Sequence, residues 1–352
     1  MKIKKLISIF EKKFPSKLAE DWDNVGLCVG EGNQEILKVQ ISLDITDDVI
    51  ENAICNGVNL IITHHPMIFK GIKSVSDTTK TGQQIIKLIK NGISVYTMHT
   101  NLDSAKFGLN NFIAEKIGMK IGKIMDIKKE KLLKVKIYIP IEEFEDFRDK
   151  IIKESYFPEG EYTKVNYSTE YKEQYFYNGN FVNNHVKTIE ILIEERYKKD
   201  LIRFIEKNHS YKEPAYEISD SGKEFENGGI GRIFDLEEEV DLIDYAEFVK
   251  NNLKIENIRI IYNKNKKIKK IAVVNGSGIE YTNMARRLGA DVFVTSDVKY
   301  HDGRAVLDYD MAVIDIGHFE GEILFAEIIS KILEEQEINT IIYHGEPVFK
   351  TM

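Results

Sequence analysis

Cysteine is scarce in this chain of 352 residues, which contains only Cys28 and Cys55. Two cysteines are too few for a disulfide scaffold, and these two lack the paired spacing of a zinc-thiolate site. A metal site would therefore have to use histidine, aspartate and glutamate. The sequence also has no run approaching about 18 consecutive apolar residues, which argues against a transmembrane span. We expect a cytoplasmic protein with no membrane partner.

An excess of positive charge is missing too. Lys and Arg total 49 against 57 Asp and Glu, so the formal net charge is -8 and no global field favours nucleic acid as a partner. Apolar residues make up 43% and charged residues 30%, which is ordinary globular usage and excludes wholesale disorder and a coiled coil. At about 150 residues per domain, the length predicts two or three domains.

Short apolar runs alternate with helical patterns over about the first 125 residues. A strand is predicted over Val39–Ile45, a helix follows from the capping residues Thr46 and Asp47, and two further strands end at THHP and TMHT. The same rhythm returns after about residue 230. We therefore predict an α/β fold with two similar halves and mixed, largely parallel sheets.

The middle of the chain breaks this rhythm and predicts a β-α-β-β-α-β insert, an α+β domain of the ferredoxin-like kind. The predicted domains are thus 1–128, 129–225 and 226–352. Aromatic residues crowd the stretch from Tyr156 to Phe181. They either alternate into a buried antiparallel core, which is the interpretation we favour, or form a nucleotide-stacking face.

Imidazole and carboxylate side chains follow the ends of predicted strands. His64 and His65 stand directly after an apolar strand and before a proline, and His99 and Asp103 follow the next strand. In open α/β sheets, ligands bind at the carboxyl ends of the strands. A lone histidine is usually a satisfied core residue, whereas a pair at a strand end favours a metal site.

A third cluster follows the apolar strand AVIDI near the C-terminus. His318 and Glu322 are four residues apart at the predicted start of a helix, so both side chains lie on one face. Three clusters of such ligands suit two adjacent divalent ions, and the residue types fit Zn, Mn, Fe(II) or Co without choosing among them. Two adjacent ions would activate a bridging water for hydrolysis.

Seven motifs, in order along nearly the whole chain, resemble the Nif-three-like family, whose bacterial members are often called GTP cyclohydrolase 1 type 2 homologs. The motifs are WDNVGL (Trp22–Leu27), LDIT (Leu43–Thr46), THHP, HTNLD, GSG (Gly276–Gly278), GADVFVTSDVKYHD (Gly289–Asp302) and GHFEGE. The insert resembles the CutA and P-II-like extra domain of the longer bacterial members.

The resemblance implies a site with two divalent metal ions. The ligands carried over from the family are His64, His65, Asp103, His318 and Glu322. The family also implies a toroidal homohexamer with sites facing an internal cavity whose openings the insert caps. Ser296 and Gly321 depart from the residues usual in the family, and neither is a ligand.

Asp297 and His301 match family motif positions and follow the predicted strand DVFVTS. We predict that they are catalytic, as a general base or as groups that orient an imidazole. The alternative is that Asp297 caps a helix beginning near Val298. The Gly276–Gly278 turn offers backbone N–H groups to a phosphate, but it lacks the third glycine of a dinucleotide fingerprint.

Two functional hypotheses follow. The first is a metal-dependent hydrolase acting on a small molecule, a nucleotide such as GTP, with formate released from the opened guanine ring. The second is a non-catalytic metal-binding or regulatory assembly that stores, delivers or senses ions or small ligands through the insert. The resemblance to signalling trimers supports the second by fold analogy only.

Overall fold

Runs of buried aliphatic residues form the strands, and segments with one apolar face form the helices that cover them. The computed structural model describes residues 1–154, 156–158, 163–177 and 179–350. The chain divides into two units, Met1–Lys128 together with Gly228–Met352, and Lys129–Asn227. Within the described ranges, no helix combines the length and apolar character needed to cross a membrane.

The elements confirm the predicted α/β class, with helices and two sheets. The helices are α1 (Ile3–Lys13), α2 (Asp47–Cys55), α3 (Lys80–Lys90), α4 (Thr100–Ser104), α5 (Leu109–Lys116), α6 (Phe144–Ile151), α7 (Lys198–Asn208), α8 (Leu242–Leu253), α9 (Thr282–Arg287), α10 (Tyr300–Val306), α11 (His318–Glu322) and α12 (Phe325–Glu335). The strands are β1 (Gly26–Val29), β2 (Val39–Ser42), β3 (Leu60–Thr63), β4 (Ser94–Thr97), β5 (Gly122–Pro140), β6 (Asn166–Tyr177), β7 (Asn180–Glu194), β8 (Tyr216–Asp241), β9 (Arg259–Ile261), β10 (Lys267–Val273), β11 (Val292–Thr295), β12 (Ala312–Asp315) and β13 (Thr340–Tyr343).

The first sheet has the strand order β1-β4-β3-β2-β13. All its pairs are parallel except β1 with β4. Every residue of β2, β3 and β4 is buried, as expected for strands covered on both faces. Ser42 lies opposite Thr63, and Thr63 opposite Thr97, so these strands end at one level. The residues that follow them, including His64, therefore share one edge.

The strands of the second sheet that lie wholly or partly in the same unit have the order β8-β10-β11-β12-β9. β10, β11 and β12 are parallel, whereas β8 and β9 pair antiparallel at the two sides. Thr295 lies opposite Asp315, so β11 and β12 also end at one level. Asp297 and His318 come shortly after these two ends.

Within this unit, a strand from the C-terminal part of the chain joins the sheet of the N-terminal part, and the two parts have a common buried core. β13, from the C-terminal part of the chain, pairs in parallel with β2, with Thr340 opposite Val39. The buried cluster that contains Phe10 of α1 also contains Val273 of β10 and Phe325 of α12. Burial of these apolar surfaces therefore joins the N-terminal and C-terminal segments.

Local capping sets the start of α2 where the sequence predicts it. The Thr46 side chain accepts a hydrogen bond from the Val49 N–H, which satisfies one of the unpaired donors at the first turn. Asp47 and Asp48 add negative charge at the same end, where the helix dipole favours it. This helix covers the first sheet and leaves the residues before it, at the end of β2, free to reach the site.

The second unit contains the elements β5, α6, β6, β7, α7 and β8, which is the predicted β-α-β-β-α-β order. Its strands are arranged in the order β6-β7-β5-β8, with β7 antiparallel to both β5 and β6. A separate cluster of buried side chains, including Ile137, Phe147, Ile189 and Leu201, forms its core.

The aromatic stretch of this unit is more exposed than the favoured interpretation predicts. Tyr156 and Phe157 are buried, and Tyr162 lies outside the described residues. Along the β6–β7 hairpin, however, Tyr167 is 69%, Phe176 65% and Phe181 79% exposed. The expectation of a buried aromatic core is wrong for this hairpin: among the described residues, the buried cluster of this unit includes Ile189, Ile191 and Ile193 of β7 but no residue of β6.

Candidate metal centre

The five predicted metal ligands come from the carboxyl ends of parallel strands. His64 and His65 follow β3 directly, and Asp103 lies in α4, which begins three residues after β4 ends. His318 and Glu322 are the first and last residues of α11, which follows β12. Ligand sites in α/β folds are expected at such ends. The structure brings all five side chains together in the larger unit.

Glu322 lies at the centre of the cluster. Its Oε2 is 2.6 Å from Nε2 of His65 and 2.8 Å from Nε2 of His318. The two imidazole Nε2 atoms are 3.3 Å apart. Ligand atoms of these three residues all lie within 4.8 Å of one another, so a single cation could contact all three.

His64 and Asp103 form a second group on the other side of the same carboxylate. Nε2 of His64 is 3.8 Å from Asp103 Oδ2 and 3.9 Å from Glu322 Oε1. Both His64 Nε2 and Asp103 Oδ1 are buried without a hydrogen-bond partner among the described residues. Burying a polar group without a hydrogen-bond partner lowers the stability of the fold by about 1–3 kcal/mol. A bound ligand that pairs with these two atoms would remove that cost.

Burial dominates the ionisation of this second group. It lowers the pKa of His64 to about 3, against the opposing charge of Glu322. It raises the pKa of Asp103 to about 7, and the negative charge of Glu322 adds to that rise. A neutral imidazole with a free nitrogen and a carboxyl group that ionises near neutral pH are both suited to bind a divalent cation.

The first group is ionic. Burial alone would lower the pKa of His65, but hydrogen bonds to Asp44 and Glu322 raise it to about 10. The hydrogen bond to Glu322 likewise raises the pKa of His318 to about 9 against the effect of burial. Burial alone would raise the pKa of Glu322, but the two histidines hold it far below its ordinary value. A cation binding here would displace protons from both imidazoles.

The other ring nitrogen of each ligand histidine is held by an oxygen. Asp44 Oδ1 lies 2.7 Å from Nδ1 of His65, and Asp297 Oδ2 lies 2.8 Å from Nδ1 of His318. The Met98 carbonyl oxygen lies 2.8 Å from Nδ1 of His64. Such oxygens orient metal-binding imidazoles and leave Nε2 to the ion.

Asp297 therefore contacts a predicted ligand, and it does not cap a helix. Its backbone has φ 56°, a conformation that Asp tolerates better than most residues. The following helix, α10, begins at Tyr300, with Lys299 at its N-cap. The capping alternative is wrong, and the orienting alternative has a contact that supports it.

The other predicted catalytic residue, His301, is exposed on α10, where its ring lies edge-on to Tyr300 with the centroids 5.4 Å apart. His99 is closer to the cluster. Its ring lies edge-on to His64 and His65, with centroid distances of 5.2 and 5.6 Å.

The Gly276–Gly278 turn also borders the cluster, and one of its N–H groups already has acceptors within the protein. The Gly278 N–H donates to Thr295 Oγ1 and to the Gly276 carbonyl. A Cβ on Gly276 would lie 2.5 Å from Glu322 Oε1. The turn thus makes room for the central carboxylate, and its Gly278 N–H is not available to a phosphate.

Comparison with known proteins decides the family. The family model described as Duf34/NIF3 (NGG1p interacting factor 3) matches residues 1–347. The chain belongs to this family. A Staphylococcus epidermidis relative named "GTP cyclohydrolase 1 type 2 homolog" is 33% identical over 360 residues, which cover 98% of each chain. A Staphylococcus aureus relative of the same name is 34% identical over 330 residues, 91% of this chain and 89% of the relative.

Solved structures agree with this assignment to the NIF3 family. The chain resembles a Bacillus cereus protein related to NIF3, with a TM-score of 0.87 and 30% identity over 100% of this chain and 99% of that one. It also resembles a Staphylococcus aureus protein of known crystal structure, with a TM-score of 0.75 and 30% identity over the same shares.

Several residues around the cluster were not identified from the sequence. Asp44 follows β2 and could have been found by the same strand-end rule that identified His64. Asn110 connects two parts of the site: its Nδ2 donates to the Asp103 carbonyl, and its Oδ1 accepts from the Asn275 N–H, 165 residues away. No local sequence pattern predicts this contact between Asn110 and Asn275. The Asn275 side-chain amide is buried, and neither polar atom has a hydrogen-bond partner among the described residues.

Proposed function

We propose that this NIF3-family protein is a metal-dependent hydrolase whose site holds two divalent ions. The observation that carries the proposal is the position of Glu322. Its Oε2 contacts His65 and His318, while its Oε1 lies 3.9 Å from Nε2 of His64. A carboxylate between two ligand groups is suited to bridge two ions, an arrangement that hydrolases use.

The donor set fits divalent ions. His65, His318 and Glu322 would hold one ion, and His64 and Asp103 would hold the other together with Glu322. The unpartnered buried atoms His64 Nε2 and Asp103 Oδ1 support the second position. Three imidazoles with two carboxylates suit Zn, Mn, Fe(II) or Co better than Mg or Ca.

The chain's own contribution is to fix the ligands. When bound, two divalent ions supply Lewis acidity and make water a nucleophile near neutral pH. Asp44, Asp297 and the Met98 carbonyl hold the three imidazoles with Nε2 toward the cluster. We propose that Asp297 acts through His318 in this way. A catalytic role for His301 stays a prediction, since the described contacts place it against Tyr300 alone.

For the substrate we propose a nucleotide, with GTP as the first to test. The ground is the name "GTP cyclohydrolase 1 type 2 homolog" that the relatives carry. Attack of one water on C8 of guanine would break one C8–N bond and open the five-membered ring to a formamide, and a second water would break the other C8–N bond and release formate.

The insert and the assembly complete the proposal. The strand order β6-β7-β5-β8 and the β-α-β-β-α-β sequence of elements support a ferredoxin-like domain for residues 129–225.

The homohexamer implied by the family resemblance stays a prediction. Multi-angle light scattering would test it, with six times the 40.6 kDa of one chain as the expected mass.

The experiment combines metal analysis with product analysis. The protein is stripped with a chelator, loaded separately with Zn, Mn, Fe(II) or Co, and incubated with GTP. We expect two ions per chain and a ring-opened product with released formate. Glu322→Gln should lose ions and turnover, because it removes the central anion. Glu335→Gln, on the exposed side of α12, is the matched control and should behave as the parent protein.

Other outcomes decide between the hypotheses. Two ions per chain without turnover of any nucleotide would contradict the hydrolase and support a metal-storing or regulatory assembly. Unchanged ion content in both Glu322→Gln and Asp103→Ala would contradict the ligand assignment itself.

A further inference from the structure

The single tryptophan of the chain, Trp22, lies on the surface beside a second exposed ring. Trp22 is 56% exposed and Phe69 is 51% exposed, and their ring centroids are 5.5 Å apart. Large aromatic side chains are usually well buried, so an exposed pair in contact deserves a functional explanation. We call this pair the aromatic platform.

The aromatic platform is connected to the candidate metal centre by one imidazole. The His99 ring lies edge-on to Trp22, with centroids 5.9 Å apart. The same ring lies edge-on to His64 and His65. A single side chain thus separates the indole from two of the proposed metal ligands.

Polar contacts hold the segments that carry both rings. Asp23, next to Trp22, has a fully buried side chain whose Oδ1 is 2.9 Å from Nδ1 of His99, and its Oδ2 accepts from the Thr100 N–H at 3.0 Å. The Asn24 side chain donates to the Ile68 carbonyl, next to Phe69, at 2.6 Å. The two segments are therefore joined and fixed where the rings emerge, which lowers the entropy cost of binding a ligand there.

We propose that the aromatic platform stacks a planar heteroaromatic ring of the substrate beside the metal centre. This rests on the proposed function, because it takes the adjacent cluster to be where the substrate reacts. A small molecule is the occupant because only the His99 ring separates Trp22 from His64 and His65, so a ring stacked on the aromatic platform would hold the rest of a small molecule close to the proposed ligands. Stacking of a nucleobase on an aromatic side chain typically changes affinity by about fivefold to 100-fold.

Trp22 itself reports on the test, since its fluorescence is the only tryptophan signal of the chain. The metal-loaded protein is titrated with guanosine, adenosine and uridine monophosphates and with a pterin, and ribose phosphate serves as the probe without a ring. We expect saturable quenching by at least one ring-bearing probe at concentrations where ribose phosphate has no effect.

Variants separate stacking from structural damage. Phe69→Ala should weaken binding of the quenching probe by about fivefold to 100-fold, and Phe69→Tyr, which keeps a ring, should restore it. Phe248→Ala is the matched control, because Phe248 is also exposed and stacked on a neighbouring ring, that of Tyr245. It should leave binding unchanged.

Metal content, measured on the same samples, distinguishes this proposal from the proposed function. Quenching that depends on a ring, without turnover of any probe, would support the aromatic platform and contradict the proposed hydrolase activity. Full metal content with no ring-dependent quenching by any probe would overturn the platform and leave the metal centre standing. A third outcome would also overturn the aromatic platform: Trp22 emission that changes with protein concentration but does not change with any probe. A second copy of the chain would then cover the two rings.

Discussion

Gly276 is the residue whose replacement tests the geometry around Glu322 most directly. Its φ is +68°, and an added Cβ would lie 2.5 Å from Glu322 Oε1. In Gly276→Ala the carboxylate must therefore move, and we expect metal affinity to fall by at least about tenfold, as when supporting residues of metal sites are changed. Isothermal titration of the chelator-treated protein with Zn measures this.

The control for that variant is Gly57→Ala. Gly57 also has φ +68°, but nothing lies within 4 Å of its added Cβ. Both variants carry the same backbone cost of about 1–2 kcal/mol, so some loss of unfolding free energy is expected in each, whereas only Gly276→Ala should weaken Zn binding. If Gly57→Ala weakened Zn binding as much as Gly276→Ala, the steric explanation would be wrong.

Asp23 should give the protein a measurable acid sensitivity. Burial alone would raise its pKa, but hydrogen bonds from His99 and Thr100 hold it at about 2. Because this is below the unfolded value of about 3.9, the ionised carboxylate stabilises the fold above about pH 4. That stabilisation, about 2 kcal/mol, is lost as the pH falls from 4 to 2.

Urea unfolding of the chelator-treated protein at several pH values between 6 and 2 measures this. Asp23→Asn should be less stable than the parent at pH 6, and the gap should close by about pH 2. Asp21→Asn, at an exposed neighbouring carboxylate, serves as the comparison and should change little. A gap that stayed constant down to pH 2 would show that the ionised form of Asp23 contributes nothing.

At the scale of single residues, the sequence predicts the position of a side chain correctly where residue spacing or the end of a strand determines that position. The i, i+4 pair His318 and Glu322 does lie on one side of a short helix, with ligand atoms 2.8 Å apart. Asn275 and Trp22 could not be assigned in this way, because their positions depend on loops brought together from distant parts of the chain.

At the scale of secondary-structure elements, the alternation of strands and helices was predictable from the sequence, but the pairing of β13 with β2 was not. Local periodicity identifies β3 and its helix, but it carries no information on which strand lies beside which. β13 joins β2 although about 300 residues separate them. The exposed aromatic side chains of the β6–β7 hairpin were misjudged for a related reason, since the sequence does not reveal which strands contribute to the buried cluster.

Removing β13 should destabilise the first sheet. β2 is wholly buried, and truncation after Ile338 would leave it as an unpaired edge and would strip Ile341 and Tyr343 from the cluster they pack against. We expect the unfolding free energy to fall by about 3 kcal/mol or more, with aggregation on warming. Urea titration and light scattering measure the two effects.

A shorter truncation provides the comparison. Ending the chain after Gly345 removes only residues beyond β13 and should leave the urea midpoint close to that of the full chain. Equal midpoints for both truncations would mean that β13 does not stabilise the sheet.

For the whole molecule, the mixed α/β class followed from the sequence, and the division into domains 1–128, 129–225 and 226–352 stays a prediction. What the sequence could not reveal is that Phe10 and Phe325 belong to one buried cluster. Hydrophobic periodicity marks a face as apolar without naming its partner, so the shared core of the two halves becomes visible only in the structure.

His65 and Glu322, which meet at 2.6 Å, are 257 residues apart in the chain. On the ribosome, the first histidines emerge long before the carboxylate that completes their cluster has been translated. Contacts of such long sequence separation also form slowly, because a large loop must close first. The cluster is therefore complete only after residue 322 has been translated and has reached His65, and a chain that ended before Glu322 would lack the central carboxylate.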